Sequence, residues 1–323
     1  MTKKIFITRR IPEIGINRLK DRGYEVDIGK WIDPPTSKEI IKYLKYKPYD
    51  AVVTLPTDPI NRDVFDVAPQ AKIFANYAVG FDNIDLTEAK ARGIMVTNAA
   101  GSSSYPVAEH AMALIFALST RIVEGDRFMR EGKFRGWRPE LFIGEDVHGK
   151  TLGIVGTGKI GEIVASMAHK GFGMDILYYD IKRNEAIERN DSAQFVPTVE
   201  EILKRSDVVT LHVPLNDSTR HLINENHLKM MKPTALLVNT SRGGVVDEVA
   251  LVRALKDKVI RGAGLDVFEF EPKLARGLSK LQNVILTPHI ASARQSARDA
   301  MAISVAENIV SFFETGKALN PVY

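Results

Sequence analysis

Between residues 266 and 272 the sequence DVFEFEP sets three carboxylates, Asp266, Glu269 and Glu271, ahead of a proline, and LTPHIAS carries His289 seventeen residues beyond it. A glutamate beside an imidazole favours the protonated ring. Such a ring can donate to a ketone oxygen as hydride reaches the adjoining carbon, and the neutral ring takes the proton back in reverse. Arg242, in NTSRGGVVDE, follows an apolar run and precedes two glycines. A guanidinium there can grip a carboxylate through two parallel hydrogen bonds. Each residue also has an ordinary structural alternative: a capping arginine, an exposed glutamate, a satisfied core histidine.

A second constellation lies upstream. LGIVGTGKIG places Gly156, Gly158 and Gly161 after an apolar run, and Ile160, Ile163, Val164 and Met167 give the following segment a helical apolar face. Asp180 stands nineteen residues after Gly161, at the end of ILYYD. Strand, glycine turn, helix and acid together satisfy the context of a dinucleotide fingerprint. Gly156 permits the tight turn, Gly158 the approach of a pyrophosphate, and Gly161 the packing of helix on strand. Lys159 and Ile160 open the helix, whose N-terminus favours phosphate. The carboxylate of Asp180 suits both ribose hydroxyls and repels a 2′-phosphate, so NAD is expected, with NADH preferred over NADPH. Lys182 and Arg183 follow at once and could soften that preference.

These residues need a scaffold of parallel strands. KKIFIT, YEVDI, DAVVTL, KIFANY and GIMVTN recur at βα spacing through the first hundred residues. The rhythm restarts with GKTLGIVG, MDILYYD, DVVTLHV, TALLVNT, RGAGLDV and NVILTP. The fold class is therefore α/β, with two doubly wound parallel-sheet domains. The expected division is 1–100, completed by a C-terminal helix within 291–323, and 101–290. That helix carries Met301, Val305, Ile309 and Phe312 on one face, and Gly316 is its expected stop. A long apolar helix is expected from Tyr105 to about Thr120.

Composition narrows the function classes. The chain has 323 residues and no cysteine, which excludes disulfides, thiolate metal sites and cysteine nucleophiles and suits a cytoplasmic location. Its seven histidines are scattered, so no metal site is expected. The net charge of +4 is spread along the chain rather than clustered, against nucleic-acid binding. MTKKIFITRR lacks the apolar core of a signal peptide. The longest apolar stretch, Val107 to Ser119, is too short to span a membrane and includes Glu109 and His110.

Taken together, NYAVGFDNIDL (76–86), VAEHAMAL (107–114), GKTLGIVGTGKIG (149–161), LHVPLNDSTRHLIN (211–224), NTSRGGVVDEVAL (239–251), AGLDVFEFEP and LTPHIAS resemble the D-isomer-specific 2-hydroxyacid dehydrogenases over nearly the whole chain. The resemblance implies a Rossmann-type cofactor domain, a flavodoxin-like substrate domain and an active-site cleft between them. It implies that Arg242 orients the substrate, Glu271 supports the histidine and His289 is the acid/base. It places Asp266 near the nicotinamide and leaves Glu269 a bystander. Val79 and Gly80 would hold the substrate carboxylate through their amides, and Leu55 would touch the substrate. Val213 and Pro214 would wall the adenine, while Thr240, Ser241 and Val107 would join the cofactor site. A homodimer is implied, with Trp137 reaching into the partner's cleft.

Within that family FITRRIPEIG, FANYAVGFDNID and FRGWRPELFIGEDVHGKTLGIVG look most like glyoxylate/hydroxypyruvate reductases, acting on a small 2-keto acid. AAGSSSYPVAEHA departs from many of them. Phosphoglycerate dehydrogenase, with Arg9 and Arg10 serving a phosphate, and D-lactate dehydrogenase are the alternatives of the same chemistry. Formate dehydrogenases resemble one another in having glutamine where Glu271 stands. NAD-sensing corepressors share the fold but carry partner-binding extensions with no counterpart here.

Overall fold

The computed structural model describes residues 2–323. The chain forms two compact units, residues 1–103 with 293–323, and residues 104–292.

The first unit is built on five strands: β1 Lys4–Ile7, β2 Glu25–Ile28, β3 Ala51–Thr54, β4 Ile73–Asn76 and β5 Met95–Thr97. All pairings are parallel, in the order β2-β1-β3-β4-β5. This is the flavodoxin-like order, in which loops at the strand C-termini carry ligands. β3 and β4 are buried at every position, which is why they read as unbroken apolar runs rather than alternating ones. The helix Gln295–Thr315 belongs to this unit. It buries Met301, Val305 and Ile309 with Ile16 and Leu19 of the helix Glu13–Lys20, while Phe312 is only partly covered. Gly316 ends it with φ of 75°, a left-handed cap that glycine supplies without a Cβ clash.

The second unit has seven parallel strands: β6 Thr151–Val155, β7 Asp175–Tyr179, β8 Gln194–Phe195, β9 Val208–Leu211, β10 Leu236–Asn239, β11 Gly262–Leu265 and β12 Val284–Leu286. Their order is β12-β11-β10-β9-β6-β7-β8. β8 goes unforeseen in the sequence because two residues at the sheet edge produce no apolar run. The order reverses between β6 and β9, so a crevice opens beyond the C-terminal ends of those two strands. The helix Ser104–Ser119 packs on β10, β11 and β12, and is buried on most of its circumference. Among the described residues no single helix is long and apolar enough to cross a membrane, and no His/Asp/Glu group has metal-site geometry.

Candidate active site

At the crevice, β6 runs into Gly156, whose φ of 93° lies in the left-handed region. A side chain on Gly156 would press on the backbone of His212, which follows β9, and one on Gly161 would collide with the Gly156 carbonyl. Gly158 is different. An added Cβ there would meet nothing within 4 Å, so the protein itself does not demand a glycine at that position. Gly158 also N-caps the helix Lys159–Phe172 with no side-chain cap, leaving its first amides for an anion. Open space and free amides at one point fit a dinucleotide's pyrophosphate.

Asp180, at the end of β7, turns one carboxylate oxygen back onto the loop. It accepts from the Thr157 amide at 2.6 Å and hydroxyl at 3.1 Å. Asn184 closes the same stretch by donating to the Thr157 carbonyl and to Glu162, both at 2.9 Å. Thr157 and Asn184 are binding-loop supports that no motif flagged. Lys159 is exposed, and Ile160 packs on the core under the loop. Val213 packs beside the Gly156 turn, whereas Pro214 is exposed. Thr240, after β10, is buried with its hydroxyl unpartnered among the described residues, while Ser241 donates to Asn239 at 2.8 Å. Val107 is buried in the helix Ser104–Ser119. Burial pushes His212 down to about 4, so its ring is neutral beside the loop.

The ends of β11 and β12 lie side by side and carry the acid–imidazole pair. His289 Nδ1 is 3.1 Å from Glu271 Oε2, and Glu271 Oε1 accepts from the Phe268 amide at 3.1 Å. Glu271 is therefore held from its own segment while it holds the ring, leaving Nε2 as the outward nitrogen. Both side chains are about a third exposed or less. His289 has φ of 54°, uncommon for a residue with a Cβ, and its amide donates to the carbonyls of Asp266 at 2.9 Å and Thr287 at 3.0 Å.

Asp266 is fully buried behind this turn. Its carboxylate accepts from the Thr287 hydroxyl at 2.6 Å, the Ile290 amide at 2.9 Å and the Ala291 amide at 2.8 Å, with His110 Nε2 at 3.4 Å. Burial alone would raise its pKa. The hydrogen bonds from His110, Thr287, Ile290 and Ala291 outweigh burial and hold it below the usual carboxylate value. Both oxygens thus serve the backbone that carries His289. Glu269 turns away from the Glu271–His289 pair: it meets His221 Nε2 at 2.6 Å and accepts from the Glu248 amide at 3.3 Å, tying two loops together. Arg242 lies at the end of β10, with Nη1 donating to the Ser241 carbonyl at 2.8 Å. The glycine after it is explained by contact, since a side chain on Gly243 would collide with the backbone of Phe268 and Glu269. The Arg242 turn therefore lies directly against the segment that ends in Glu271.

The first unit gathers a different set at the ends of β3 and β4. Asn83 donates to the carbonyls of Leu55 at 3.0 Å and Asp58 at 2.9 Å. Asn76 donates to the Gly80 carbonyl at 2.8 Å and to Asn83 at 3.1 Å, and Asn98 takes the Val79 carbonyl at 2.7 Å. With these carbonyls drawn back, the amides of Val79 and Gly80 are left without acceptors among the described residues of the unit. Paired amides of this kind form an anion-binding concavity. Asp58, fully buried, accepts from Thr8, from the Leu55 amide at 2.8 Å and from Arg9 at 2.9 Å. Arg10 pairs with Glu13. Both arginines that could have met a substrate phosphate are engaged by carboxylates.

The helix Ile122–Arg130 buries none of its residues, and Trp137, Met129 and Ile143 of the same region are exposed. Residues 112–291 match the model of the D-isomer specific 2-hydroxyacid dehydrogenase NAD-binding domain. The glyoxylate reductase of Korarchaeum cryptofilum is 51% identical over 314 residues, covering 97% of this chain and 93% of that one. A solved structure of a Thermus thermophilus protein superposes with a TM-score of 0.91 at 38% identity, over 99% of this chain and all of the other. The NADPH-dependent glyoxylate/hydroxypyruvate reductase of Sinorhizobium meliloti, solved with NADP and malonate, gives a TM-score of 0.88 at 30% identity, over 100% and 97%. A dinucleotide loop at the switch point, a glutamate-held histidine on the same sheet edge and full-length likeness at this level agree: the chain is an NAD(P)-dependent oxidoreductase that belongs to the D-isomer-specific 2-hydroxyacid dehydrogenases.

Proposed function

We propose that the protein reduces a small unphosphorylated 2-keto acid, glyoxylate or hydroxypyruvate, to the corresponding 2-hydroxy acid, of D configuration where that product is chiral, with NADH. The observation that carries the reading is the Glu271–His289 pair at 3.1 Å, on a turn braced by the buried Asp266. Bound nicotinamide supplies the hydride. His289, oriented through Nδ1 by Glu271, donates a proton from Nε2 to the carbonyl oxygen and recovers it in the reverse direction. Arg242 orients the carboxylate and carbonyl through its fork of donors. Val79 and Gly80 hold the carboxylate through their amides, and Leu55 shapes the space beside it.

Several observations favour this branch. The curated relatives from Korarchaeum cryptofilum and Pyrococcus horikoshii, 51% and 50% identical, are named glyoxylate reductases. The engagement of Arg9 with Asp58 and of Arg10 with Glu13 argues against a phosphorylated substrate. Asp180 beside the glycine loop supports NADH over NADPH. Gly156, Gly158 and Gly161, with Lys159 and Ile160, shape the phosphate turn, and Val213, Pro214, Thr240, Ser241 and Val107 complete the cofactor surface. The exposed Trp137, Met129 and Ile143 suit a homodimer.

The test follows absorbance loss from NADH and NADPH with glyoxylate, hydroxypyruvate, pyruvate and phosphohydroxypyruvate at matched concentrations. The expected result is fast NADH turnover on the first two. Turnover confined to the phosphorylated acid, or none with any of the four, would overturn the reading.

A further inference from the structure

The stretch from Asp180 to Asn184 is pinned at both ends to one residue of the glycine loop. Asp180 accepts from the amide of Thr157, and Asn184 donates to the same residue's carbonyl. Ile181, Lys182 and Arg183 arch between these anchors, all exposed. An arginine at such a place is what accommodates the 2′-phosphate in NADP-binding relatives of this fold, because its planar fork matches phosphate oxygens. Here the fork is turned onto the helix Glu185–Asp191 instead. Arg183 Nε lies 3.1 Å and Nη2 2.9 Å from the two oxygens of Glu188, and the guanidinium stands 5.5 Å from the centre of the Phe195 ring. Glu188 is held in turn by the Tyr178 hydroxyl, whose oxygen accepts from the Asn184 amide at 2.9 Å.

We propose that Glu188 is a second determinant of cofactor choice, withholding Arg183 from the 2′-phosphate that distinguishes NADPH from NADH. The inference rests on the reading that Asp180 meets the cofactor's ribose. An exposed ion pair is ordinarily worth little, since water and salt compete with it. This one is bidentate, lies against an aromatic face, and its acid is only 21% exposed in the side chain. Those features hold the guanidinium on Glu188, while 64% of the Arg183 side chain remains exposed. Lys182 has no fork and is a poor substitute for it. Asp180 repels a 2′-phosphate directly, whereas Glu188 acts by removing the group that could attract one.

The experiment measures direct binding of adenosine 2′,5′-bisphosphate and 5′-AMP by calorimetry, alongside kcat/KM for NADPH and NADH. It compares wild type, Glu188→Gln, Arg183→Ala and the double variant, with melting curves as a check on folding. Releasing one charge-assisted contact should raise affinity for the bisphosphate, and the NADPH/NADH ratio, about tenfold in Glu188→Gln. Adding Arg183→Ala should cancel the gain, and Arg183→Ala alone should leave both quantities within about twofold, because a withheld group contributes nothing to lose. An unchanged ratio in Glu188→Gln, with wild type still preferring NADH, overturns the role of Glu188 and leaves that of Asp180 standing. Weaker bisphosphate binding in Arg183→Ala alone also overturns it, since Arg183 would then already reach the phosphate. A wild type without preference for NADH overturns instead the reading on which the inference rests.

Discussion

The two units present ligand chemistry by opposite means. At the ends of β11 and β12 the second unit offers ionisable side chains, Glu271 and His289, and a buried carboxylate fixes the backbone just after His289. At the ends of β3 and β4 the first unit offers backbone amides, exposed because asparagine side chains have absorbed the neighbouring carbonyls. In one case charge is the agent and hydrogen bonding the scaffold. In the other, uncharged amides are the agent. On the proposed reading, the first arrangement would move a proton and the second would hold an anion.

The comparison is broken most severely at His289. With the acid/base group gone, His289→Ala should lower kcat about 10²–10⁴-fold, while NADH affinity, measured by fluorescence titration, changes far less. Equal losses in turnover and NADH binding would mean that the ring supports the cofactor rather than the proton.

The first unit should respond in the other kinetic constant. Asn83→Ala removes the amide that bonds the carbonyls of Leu55 and Asp58, together with the acceptor for Asn76, and lets the loop after β3 relax. Each neutral hydrogen bond contributes about 1 kcal/mol, so with the two to the carbonyls lost KM for the keto acid should rise by up to about thirtyfold with kcat nearly retained. The pH profile of turnover should not move, because no titrating group has been touched. A fall in kcat with KM unchanged would assign Asn83 to the chemistry and erase the distinction between the units.

That distinction also explains what could be read in advance. His289, Glu271 and Arg242 each had an ordinary structural alternative when taken singly, and it was the ordered set of motifs around them that singled them out as candidates. Gly158 was legible for a related reason: its lack of a side chain is a chemical statement. Asn76, Asn83 and Asn98 were silent as supports, since an asparagine near a turn is ordinary and its partners come from strands far away in sequence. The same holds for Glu269, whose bond to His221 spans 48 residues. Eleven of the twelve strands lie within apolar runs that the sequence displays. β8 does not, because two edge residues are fixed by the neighbouring strand rather than by their own pattern.

The smallest expected effect lies beneath the second unit's edge and concerns stability. Glu248 is buried; one oxygen accepts from the Ala275 amide at 3.0 Å and the other has no partner among the described residues. Burial pushes its pKa up to about 6; the Ala275 amide opposes this, and the charges of Glu269 and Glu271 reinforce it. Its pKa when the chain unfolds is near the ordinary 4.5, so between these values the native state binds the extra proton. Stability therefore falls as pH rises through that window, and at neutral pH the ionised group costs about 2 kcal/mol. Glu248→Gln keeps an acceptor for Ala275 and replaces a repelled charge with an amide that Glu269 and Glu271 attract. The variant should melt about 4 °C above wild type at pH 8, with the gain disappearing near pH 4, where the wild-type carboxyl is protonated in both states. A gain of equal size at both pH values would show that packing, not the charge of Glu248, separates the two proteins.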